Sequence, residues 1–252
     1  MNALFSLENK VAIVTGGNAG LGRTVAKALA EAGADIAVVS RGDADAVACE
    51  VAEAGRRFLH VRADLAQMDA VAMIVERVLA AFGKIDILVN NTGIIRREDS
   101  LAFTEQDWDD VMGVNAKALF FLSQAVARQM VKQGTGGKII NTASLLSFQG
   151  GIRVPAYTAS KSAVKGMTML MANEWAKYDI QVNAVAPGYM ETDNTAALRA
   201  DENRYREILS RIPAGRWGKP EDLAGTYVYL ASDASNYVTG FTIAVDGGWL
   251  AR

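Results

Sequence analysis

Short apolar runs alternate along the chain with longer stretches in which apolar residues recur at helical spacing. The runs are rich in valine and isoleucine: VAIVT from Val11, DIAVVS from Asp35, FLHV from Phe58, IDILVN from Ile85, KIINTAS from Lys138, IQVNAVAP from Ile180 and FTIAVDG from Phe241. Strands that alternate with helices in this way favour a parallel sheet that is covered by helices on both faces. The pattern therefore predicts an α/β fold with a doubly wound sheet of about seven strands, open at its carboxyl edge.

Two long helices are predicted in the second half of the chain. Thr104, followed three residues later by Asp107, resembles a capping box and begins a helical stretch that reaches about Lys132. We expect this stretch to be broken near Asn115. The second long helix is predicted from about residue 155 to residue 177.

Length and composition fit one sizeable domain. The chain has 252 residues, of which 50% are hydrophobic and 21% charged, and it contains no internal repeat, low-complexity tract or proline-rich linker. We therefore expect residues 1–252 to form a single domain. The net charge of −2 offers no basic patch for nucleic acid or for an anionic membrane, so neither is expected as a partner.

Cysteine and histidine usage indicates a reducing compartment and no metal site. Cys49 is the only cysteine, which excludes an internal disulfide, and His60 is the only histidine and is expected to fill a strand position. The segment MNALFSLENK lacks a signal-peptide pattern, and no apolar run approaches the roughly 18 residues of a membrane span. We expect a soluble, cytoplasmic protein.

A glycine-rich turn follows the first predicted strand. Gly16, Gly20 and Gly22 come directly after Thr15, and a helical pattern continues from there to Glu31. Glycines in a strand–turn–helix unit let the backbone approach a pyrophosphate, whose charge is met by the amides at the start of the helix. Glycines also form ordinary turns, so this spacing alone is a weak signal. Together with the residues described next, it predicts a dinucleotide site.

A serine, a tyrosine and a lysine have a spacing that suits proton transfer. Tyr157 follows Ser144 by thirteen residues, and Lys161 lies four residues after Tyr157 on the same predicted helix face. A phenol with a pKa of about 10 needs a shift of roughly 2 to 3 units to work near neutral pH. We expect the Lys161 ammonium to lower the pKa of Tyr157. Ser144 can donate a hydrogen bond to the substrate oxygen on which charge builds.

These motifs resemble those of the short-chain dehydrogenase/reductase family, and the similarity extends from Lys10 to Arg252. The residues that match the family pattern are Gly16, Gly20, Gly22, Asn90, Asn91, Gly93, Asn115, Ser144, Tyr157, Lys161, Pro187 and Gly188. Thr92 departs from it, because the family usually has alanine there. The resemblance implies a Rossmann-type fold and an NAD(P)-dependent oxidoreductase that acts on an alcohol or a carbonyl.

The resemblance also implies roles for single residues. Asn115 would hold a water that relays protons to Lys161, and Lys161 would bind the nicotinamide ribose. Thr192 would contact the carboxamide, although it could instead cap a helix. Asp64 would contact the adenine, with a helix cap before Gln67 as its alternative. The family pattern further places at the cofactor Asn18, Leu21, Leu65, Asn91, Gly93, Pro187 and Gly188.

The end of the second strand bears on the choice of cofactor. An NAD site normally has a carboxylate here for the ribose hydroxyl, but this chain has Ser40 and Arg41. Arg41 could pair with a 2′-phosphate, which favours NADP. Alternatively, Arg41 is a solvated loop residue near Asp43 and Asp45. The sugar-acid members of the family, which the catalytic half resembles, favour NAD, so the choice stays open.

The substrate class is implied by segments that resemble the sugar-acid dehydrogenases of the family. These segments are IIRRED, LSFQGGIRVPAYTASK, MANEWAK, APGYMETDNT, IPAGRWGKPEDL and TIAVDGGWLAR. They imply a 2-keto-3-deoxy sugar acid of hexuronate catabolism as substrate, with Gln149 among the residues that bind it. Arg97 or Arg153 could clamp the carboxylate, although either could equally be a surface or subunit-contact residue.

Two other functions would keep the same fold. A 3-oxoacyl carrier-protein reductase would share every catalytic residue but would need an apolar acyl channel and a basic rim. A noncatalytic dinucleotide-binding regulator would have no chemical need for Ser144, Tyr157 and Lys161 together. The long helices and the tail DGGWLAR resemble those that pair subunits into homotetramers in the family.

Overall fold

All the strands of the described residues lie in one seven-stranded parallel sheet. The computed structural model describes residues 3–252, and its strand order is β3-β2-β1-β4-β5-β6-β7. The strands are β1 Val11–Thr15, β2 Asp35–Ser40, β3 Phe58–Arg62, β4 Ile87–Asn90, β5 Gly137–Thr142, β6 Ile180–Pro187 and β7 Thr242–Val245. The prediction of an α/β fold with a doubly wound parallel sheet is confirmed. Each predicted apolar run overlaps one strand, although β3 and β5 each extend one residue beyond their runs.

Nine α-helices of the described residues connect or follow these strands. They are α1 Gly20–Glu31, α2 Asp45–Glu53, α3 Ala70–Phe82, α4 Glu105–Met112, α5 Leu119–Gln133, α6 Pro155–Trp175, α7 Ala196–Ala200, α8 Glu202–Arg211 and α9 Ala224–Ala231. Buried apolar side chains of α1, α2 and α9 share one core, and those of α3, α5 and α6 share a second. The helices therefore cover both faces of the sheet, as the pattern predicts.

The strand order reverses beside β1. Chain connections run outward through β2 and β3 on one side, and β4 then starts the other side by pairing with β1 in parallel. A crevice opens where this reversal occurs, at the carboxyl ends of the strands. The crevice is bordered by Thr15 at the end of β1 and by Asn90 at the end of β4.

The predicted break near Asn115 is a π-helical segment. Thr104 is the N-cap of α4 and accepts a hydrogen bond from the Asp107 N–H at 3.1 Å, as the capping-box pattern predicts. Between α4 and α5 the chain passes through the π-helical segment Gly113–Ala118. Such segments widen a helix locally and are frequent at functional sites. This one contains Asn115, which is only 1% exposed.

A small third core lies beyond the sheet. It is formed by Leu145, Ile208, Ile212, Trp217 and Trp249, which come from the turn after β5, from α8 and the segment that follows it, and from the end of the chain. The turn after β5 and the end of the chain both follow the carboxyl end of a strand. The third core therefore covers the carboxyl edge of the sheet.

Within residues 3–252, none of the helices combines the length and the apolar character that are needed to cross a membrane.

The contact between α1 and the glycine turn predicts that Gly22→Ala is destabilising. A Cβ at Gly22 would overlap the carbonyl oxygen of Gly16, whereas a Cβ at the exposed helix residue Gly225 would meet nothing within 4 Å. We expect Gly22→Ala to lower the free energy of unfolding by about 1 to 3 kcal/mol, as overpacking does. Gly225→Ala, the control, should raise it by up to about 1 kcal/mol. Urea titrations measure both, and a Gly22→Ala protein as stable as Gly225→Ala would contradict the packing argument.

Candidate active site

The glycine turn is shaped to receive a phosphate. Gly16 and Gly20 have φ angles of +63° and +51°, a left-handed region that glycine adopts without strain. The Gly16 N–H donates to the Val39 carbonyl at 2.8 Å, which fixes the turn to β2. Helix α1 begins at Gly20, and Ala19 before it has no side chain that could cap the first amides. The amides and dipole of α1 are therefore directed to the carboxyl edge, where an anion can bind.

Hydrogen bonds join the end of β4 to this turn. The Asn91 side chain donates to the Thr15 carbonyl at 3.0 Å, and the backbone N–H groups of Asn91 and Thr92 donate to the Thr15 hydroxyl at 3.0 Å. The Thr92 hydroxyl lies 3.1 Å from the position that a Cβ of Gly16 would take. The threonine that replaces the family's alanine therefore packs against the glycine turn.

Gly93 leaves room between two polar side chains. A Cβ at Gly93 would lie 3.4 Å from the Asn115 Oδ1 and 3.7 Å from the Lys161 Nζ. With only hydrogen at this position, a group that hydrogen bonds to Lys161 can approach the backbone. This space fits the nicotinamide ribose that the resemblance assigns to Lys161.

Asn115 uses its whole side chain to hold the loop after β4. Its Oδ1 accepts from the Ile94 N–H at 2.8 Å, and its Nδ2 donates to the Ile94 carbonyl at 2.9 Å and to the Ser160 hydroxyl at 3.1 Å. Both amide donors are therefore satisfied. A water at Asn115 would therefore have to donate its hydrogen bond to an oxygen of this residue, and the relay stays a prediction.

Lys161 is a buried cation that is held by a strand end. Its side chain donates to the Thr142 carbonyl at 2.6 Å, and the residue is 4% exposed. Burial lowers the pKa of Lys161 to about 8. The Nζ lies 5.6 Å from the centre of the Tyr157 ring. At neutral pH the group keeps its proton, which places a positive charge beside the phenol.

Tyr157 differs from the expectation in the direction of its pKa. Burial raises the pKa of Tyr157, while a hydrogen bond with the Ser144 side chain and the charge of Arg97 act in the opposite direction. The expected net lowering of the Tyr157 pKa is wrong, because burial disfavours the phenolate more than the neighbouring groups favour it. Tyr157 therefore carries its proton at neutral pH and can serve as a proton donor.

Ser144 is fixed beside the catalytic helix by a short turn. It is the N-cap of the 3-10 helix Leu145–Ser147, and its hydroxyl accepts from the Leu146 N–H at 3.2 Å. In the same turn, the Ser147 hydroxyl donates to the Lys161 carbonyl at 2.6 Å. The structure thus brings Ser144, Tyr157 and Lys161 together, as their spacing predicts. Ser147, which joins the turn to α6, was not recognised in the sequence.

Tyr227 is a second residue that the sequence pattern does not reveal. Its hydroxyl lies 2.8 Å from the Thr142 hydroxyl, and the residue is completely buried on α9. Thr142 is therefore held through its side chain while its carbonyl accepts from Lys161. Tyr227 lies far from the catalytic motif in sequence and has the spacing of an ordinary core residue, so no sequence signal distinguishes it.

Strand β2 ends at Ser40, whose hydroxyl already has hydrogen-bond partners within the chain. The Ser40 hydroxyl donates to the Gly42 carbonyl at 2.9 Å and lies 2.9 Å from the His60 Nε2. His60 lies in β3, where the sequence places it. Asn18, on the glycine turn, donates to the Asp43 carbonyl at 3.2 Å and so fixes the loop after β2.

Arg41 extends from the same strand end into solvent. Its side chain is 73% exposed and lies 3.9 Å from the Asp64 carboxylate, whose side chain is 42% exposed. Asp64 accepts from the Ala66 N–H at 3.0 Å in a turn, but α3 begins only at Ala70, with Asp69 as its N-cap, so the alternative role of Asp64 as a helix cap is wrong. Leu65 is buried in the core, and Leu21 is partly buried against the other core, so only their backbones suit cofactor contact.

The segment after β6 brings its predicted cofactor residues to the carboxyl edge. Pro187 ends β6, and Gly188 follows where a Cβ would overlap the Asp246 backbone. Thr192 precedes a 3-10 turn. Its N–H donates to the Thr195 hydroxyl at 3.2 Å, and its carbonyl accepts from the Thr195 N–H at 3.1 Å. Thr192 is the N-cap of this turn, which agrees with its alternative role as a cap.

The two candidate arginines are placed differently. Arg97 is close enough to Tyr157 for its charge to lower the pKa of the phenol. Arg153 is 61% exposed on its side chain and lies 3.6 Å from the Glu98 carboxylate. Gln149, the third candidate for substrate contact, accepts hydrogen bonds from Trp249 at 3.1 Å and from Arg211 at 3.3 Å. Only Arg97 is brought into electrostatic contact with the catalytic tyrosine.

The comparisons with known proteins agree with this geometry. A family model described as enoyl-(acyl carrier protein) reductase matches residues 16–250. The 2-dehydro-3-deoxy-D-gluconate 5-dehydrogenase of Dickeya dadantii is 62% identical over 248 residues, which cover 98% of each chain. An Agrobacterium tumefaciens protein solved with bound NADP has a TM-score of 0.92 and 53% identity, with all of both chains covered.

A third relative carries both a cofactor and a small acid. The gluconate 5-dehydrogenase of Burkholderia cenocepacia, solved with NADP and tartrate, has a TM-score of 0.95 and 40% identity, and the match covers 99% of this chain and 98% of that one. The match to the family model and the identity over nearly full length show the family. The chain belongs to the short-chain dehydrogenase/reductase family of NAD(P)-dependent oxidoreductases, which act on a CH–OH or C=O group.

Proposed function

We propose that the protein interconverts a carbonyl and a hydroxyl group of a 2-keto-3-deoxy sugar acid, with NAD(P) as the cofactor. The observation that carries the proposal is that the charge of Arg97 acts on Tyr157. Tyr157 itself lies beside Ser144 and Lys161. A cation at this place suits a substrate with a carboxylate. The names of the relatives support the same substrate class, because they include a 2-dehydro-3-deoxy-D-gluconate 5-dehydrogenase and a gluconate 5-dehydrogenase.

The residues of the site fit a nicotinamide dinucleotide. The turn from Gly16 to Gly22 would hold the pyrophosphate, and Lys161 would hold the nicotinamide ribose in the space above Gly93. When bound in its reduced form, the cofactor supplies a hydride to the carbonyl carbon of the substrate.

The catalytic side chains supply the proton and stabilise the charge. In the reduction, Ser144 donates a hydrogen bond to the carbonyl oxygen, and Tyr157 transfers its phenolic proton to that oxygen as negative charge builds there. The Lys161 cation stabilises the phenolate that remains on Tyr157. The C=O group becomes CH–OH, and the phenolate then regains a proton from solvent. Oxidation follows the same path in reverse.

Arg97 is the favoured clamp for the substrate carboxylate. A guanidinium can bind a carboxylate with two parallel hydrogen bonds, which fixes both the position and the orientation of the acid. Both arginines are exposed, and Arg153 is the weaker candidate because, unlike Arg97, it has no effect on the pKa of Tyr157.

A second candidate function is reduction of an acyl chain on a carrier protein. It is favoured by the family model, whose description names an acyl carrier protein reductase. An arginine beside the catalytic phenol is an unfavourable neighbour for an apolar acyl chain, so we place this function second. A noncatalytic regulator is disfavoured, because it would not need Ser144, Tyr157 and Lys161 in contact.

For the cofactor, we propose a preference for NADP(H). Arg41 lies at the end of β2 without a bidentate partner, since its distance to Asp64 is 3.9 Å, and its exposed guanidinium can reach a 2′-phosphate. NADP in the related structures is consistent with this preference.

We also propose that copies of this chain associate into a homotetramer in the cytoplasm. Large apolar side chains are exposed on α5 and α6, among them Phe121 at 40%, Met169 at 45% and Leu170 at 48%. Apolar patches of this kind mark association surfaces. The single cysteine, Cys49, is free and exposed, as suits a reducing compartment.

We predict that Arg41→Ala weakens the use of NADPH and spares the use of NADH. Loss of a charge-assisted contact with the 2′-phosphate should lower kcat/KM for NADPH by roughly 10- to 150-fold. Steady-state kinetics with both reduced cofactors measure this, and NADH is the internal control. Equal losses with both cofactors, or a wild type that prefers NADH, would assign Arg41 to the solvated loop instead.

The substrate proposal is tested by cofactor oxidation with three kinds of substrate. The wild type should reduce a 2-keto-3-deoxy sugar acid in preference to a neutral ketone analogue and to an acetoacetyl thioester. Arg97→Lys keeps the charge but loses the planar fork, so it should raise KM for the acid by about 10-fold or more and leave KM for the neutral analogue unchanged.

Arg153→Lys is the matched control and should leave both substrates unaffected. A wild type that prefers the thioester would establish the acyl reductase instead. Unchanged relative KM values in both lysine variants would remove the carboxylate clamp from the proposal.

A further inference from the structure

Gln149 joins three segments that cover the carboxyl edge of the sheet. It follows the short turn that begins at Ser144, and its Oε1 accepts from the indole N–H of Trp249 at 3.1 Å and from Arg211 at 3.3 Å. Trp249 belongs to the last 3-10 turn of the chain, and Arg211 ends α8. One side-chain oxygen therefore receives hydrogen bonds from both other segments.

The two donors determine the orientation of the Gln149 amide. An indole N–H and a guanidinium can donate hydrogen bonds but cannot accept them. The atom between Trp249 and Arg211 must therefore be the amide oxygen, and the amide nitrogen must point away from both. Among residues 3–252, that nitrogen has no hydrogen-bond partner and is not one of the buried unsatisfied atoms. Gln149 thus keeps two N–H donors that the described residues leave unused.

The two groups that donate to the Gln149 oxygen are themselves fixed by further contacts. Trp249 is 4% exposed, and the Arg211 guanidinium lies 4.1 Å from the centre of its ring, which is a cation–π contact. Arg252 donates to the backbone carbonyls of Ser210 and Arg211 at 2.7 and 3.2 Å. These bonds fasten the end of the chain to the last turn of α8 and limit the movement of the Gln149 amide.

The same turn connects Gln149 to the catalytic residues. The Gln149 N–H donates to the Leu145 carbonyl at 3.1 Å, directly after Ser144. Two residues before Gln149, Ser147 donates to the Lys161 carbonyl at 2.6 Å. The free amide donors therefore extend from a turn that is fixed at both Ser144 and Lys161, on the side of the site that α8 and the chain end cover.

We propose that Gln149 donates a hydrogen bond to an oxygen of the sugar-acid substrate, and that Trp249 and Arg211 are positioning residues that orient its amide for this contact. The inference rests on the proposed function and deepens it, because it makes the end of the chain part of the substrate site. Gln149 then distinguishes an oxygen-rich substrate from a simple ketone. A ketone without those oxygens makes no hydrogen bond with the Gln149 amide and gains no binding energy from it.

Gln149→Glu separates a donor role from a structural role. The carboxylate can still accept from Trp249 and Arg211, so the third core keeps its contacts, but it cannot donate to the substrate and it repels an acid. We expect the melting temperature to be unchanged or higher, while KM for the sugar acid rises by roughly 10-fold or more. KM for a simple ketone and the dissociation constant of the cofactor should not change.

Trp249→Phe tests the positioning, and Trp217→Phe is its matched control. Both tryptophans are buried in the third core, but the Trp217 indole N–H has no hydrogen-bond partner, whereas that of Trp249 binds Gln149. Trp249→Phe should raise KM for the sugar acid by roughly 2- to 10-fold with little change in kcat, and Trp217→Phe should leave KM unchanged.

The outcomes distinguish this inference from the proposed function. If the wild type reduces the sugar acid but Gln149→Glu has the wild-type KM, Gln149 is structural and the inference is wrong while the function stands. Equal KM values in Trp249→Phe and Trp217→Phe would remove the positioning role. A wild type that does not reduce the sugar acid would overturn the function and the inference together.

Discussion

The site depends on one hydrogen bond, between the buried Lys161 ammonium and the Thr142 carbonyl at the end of β5. A buried cation is costly unless polar groups surround it, and this carbonyl is the group that the sheet provides. The bond aligns α6 with the carboxyl edge, and it thereby sets where Tyr157 lies relative to Ser144. Tyr227 holds the Thr142 side chain from α9, and Ser147 holds the Lys161 backbone. The catalytic lysine is thus fixed from both faces of the sheet.

This arrangement explains the opposite pKa directions of two neighbouring groups. Burial disfavours the charged form of each, so it lowers the pKa of Lys161 to about 8 and raises the pKa of Tyr157. Near neutral pH the lysine is a cation and the tyrosine is a neutral acid. Transfer of the phenolic proton then creates a phenolate beside a cation that is already in place. The site is therefore prepared to protonate the oxygen of a carbonyl that accepts a hydride.

The strands and catalytic spacing could be predicted because each has a local cause. Strands of a doubly covered sheet are continuous apolar runs, and Tyr157 and Lys161 share a face because helical spacing requires it. The direction of the Lys161 ammonium could not be predicted, because it depends on the strand end opposite. The pairing of Arg153 with Glu98 and of Gln149 with Trp249 joins segments that only the tertiary fold brings together. Sequence spacing carries no information about such contacts.

The pH dependence of the reduction step tests the role of the buried lysine most directly. The single-turnover rate of sugar-acid reduction by NADPH would be measured from pH 6 to about pH 10. The depressed pKa of Lys161 means that its charge is present below about pH 8 and is lost above it. The rate should therefore be constant below about pH 8 and fall as the pH rises further, because the phenolate would form without its neighbouring cation. A rate that stays level to about pH 10 would contradict the account.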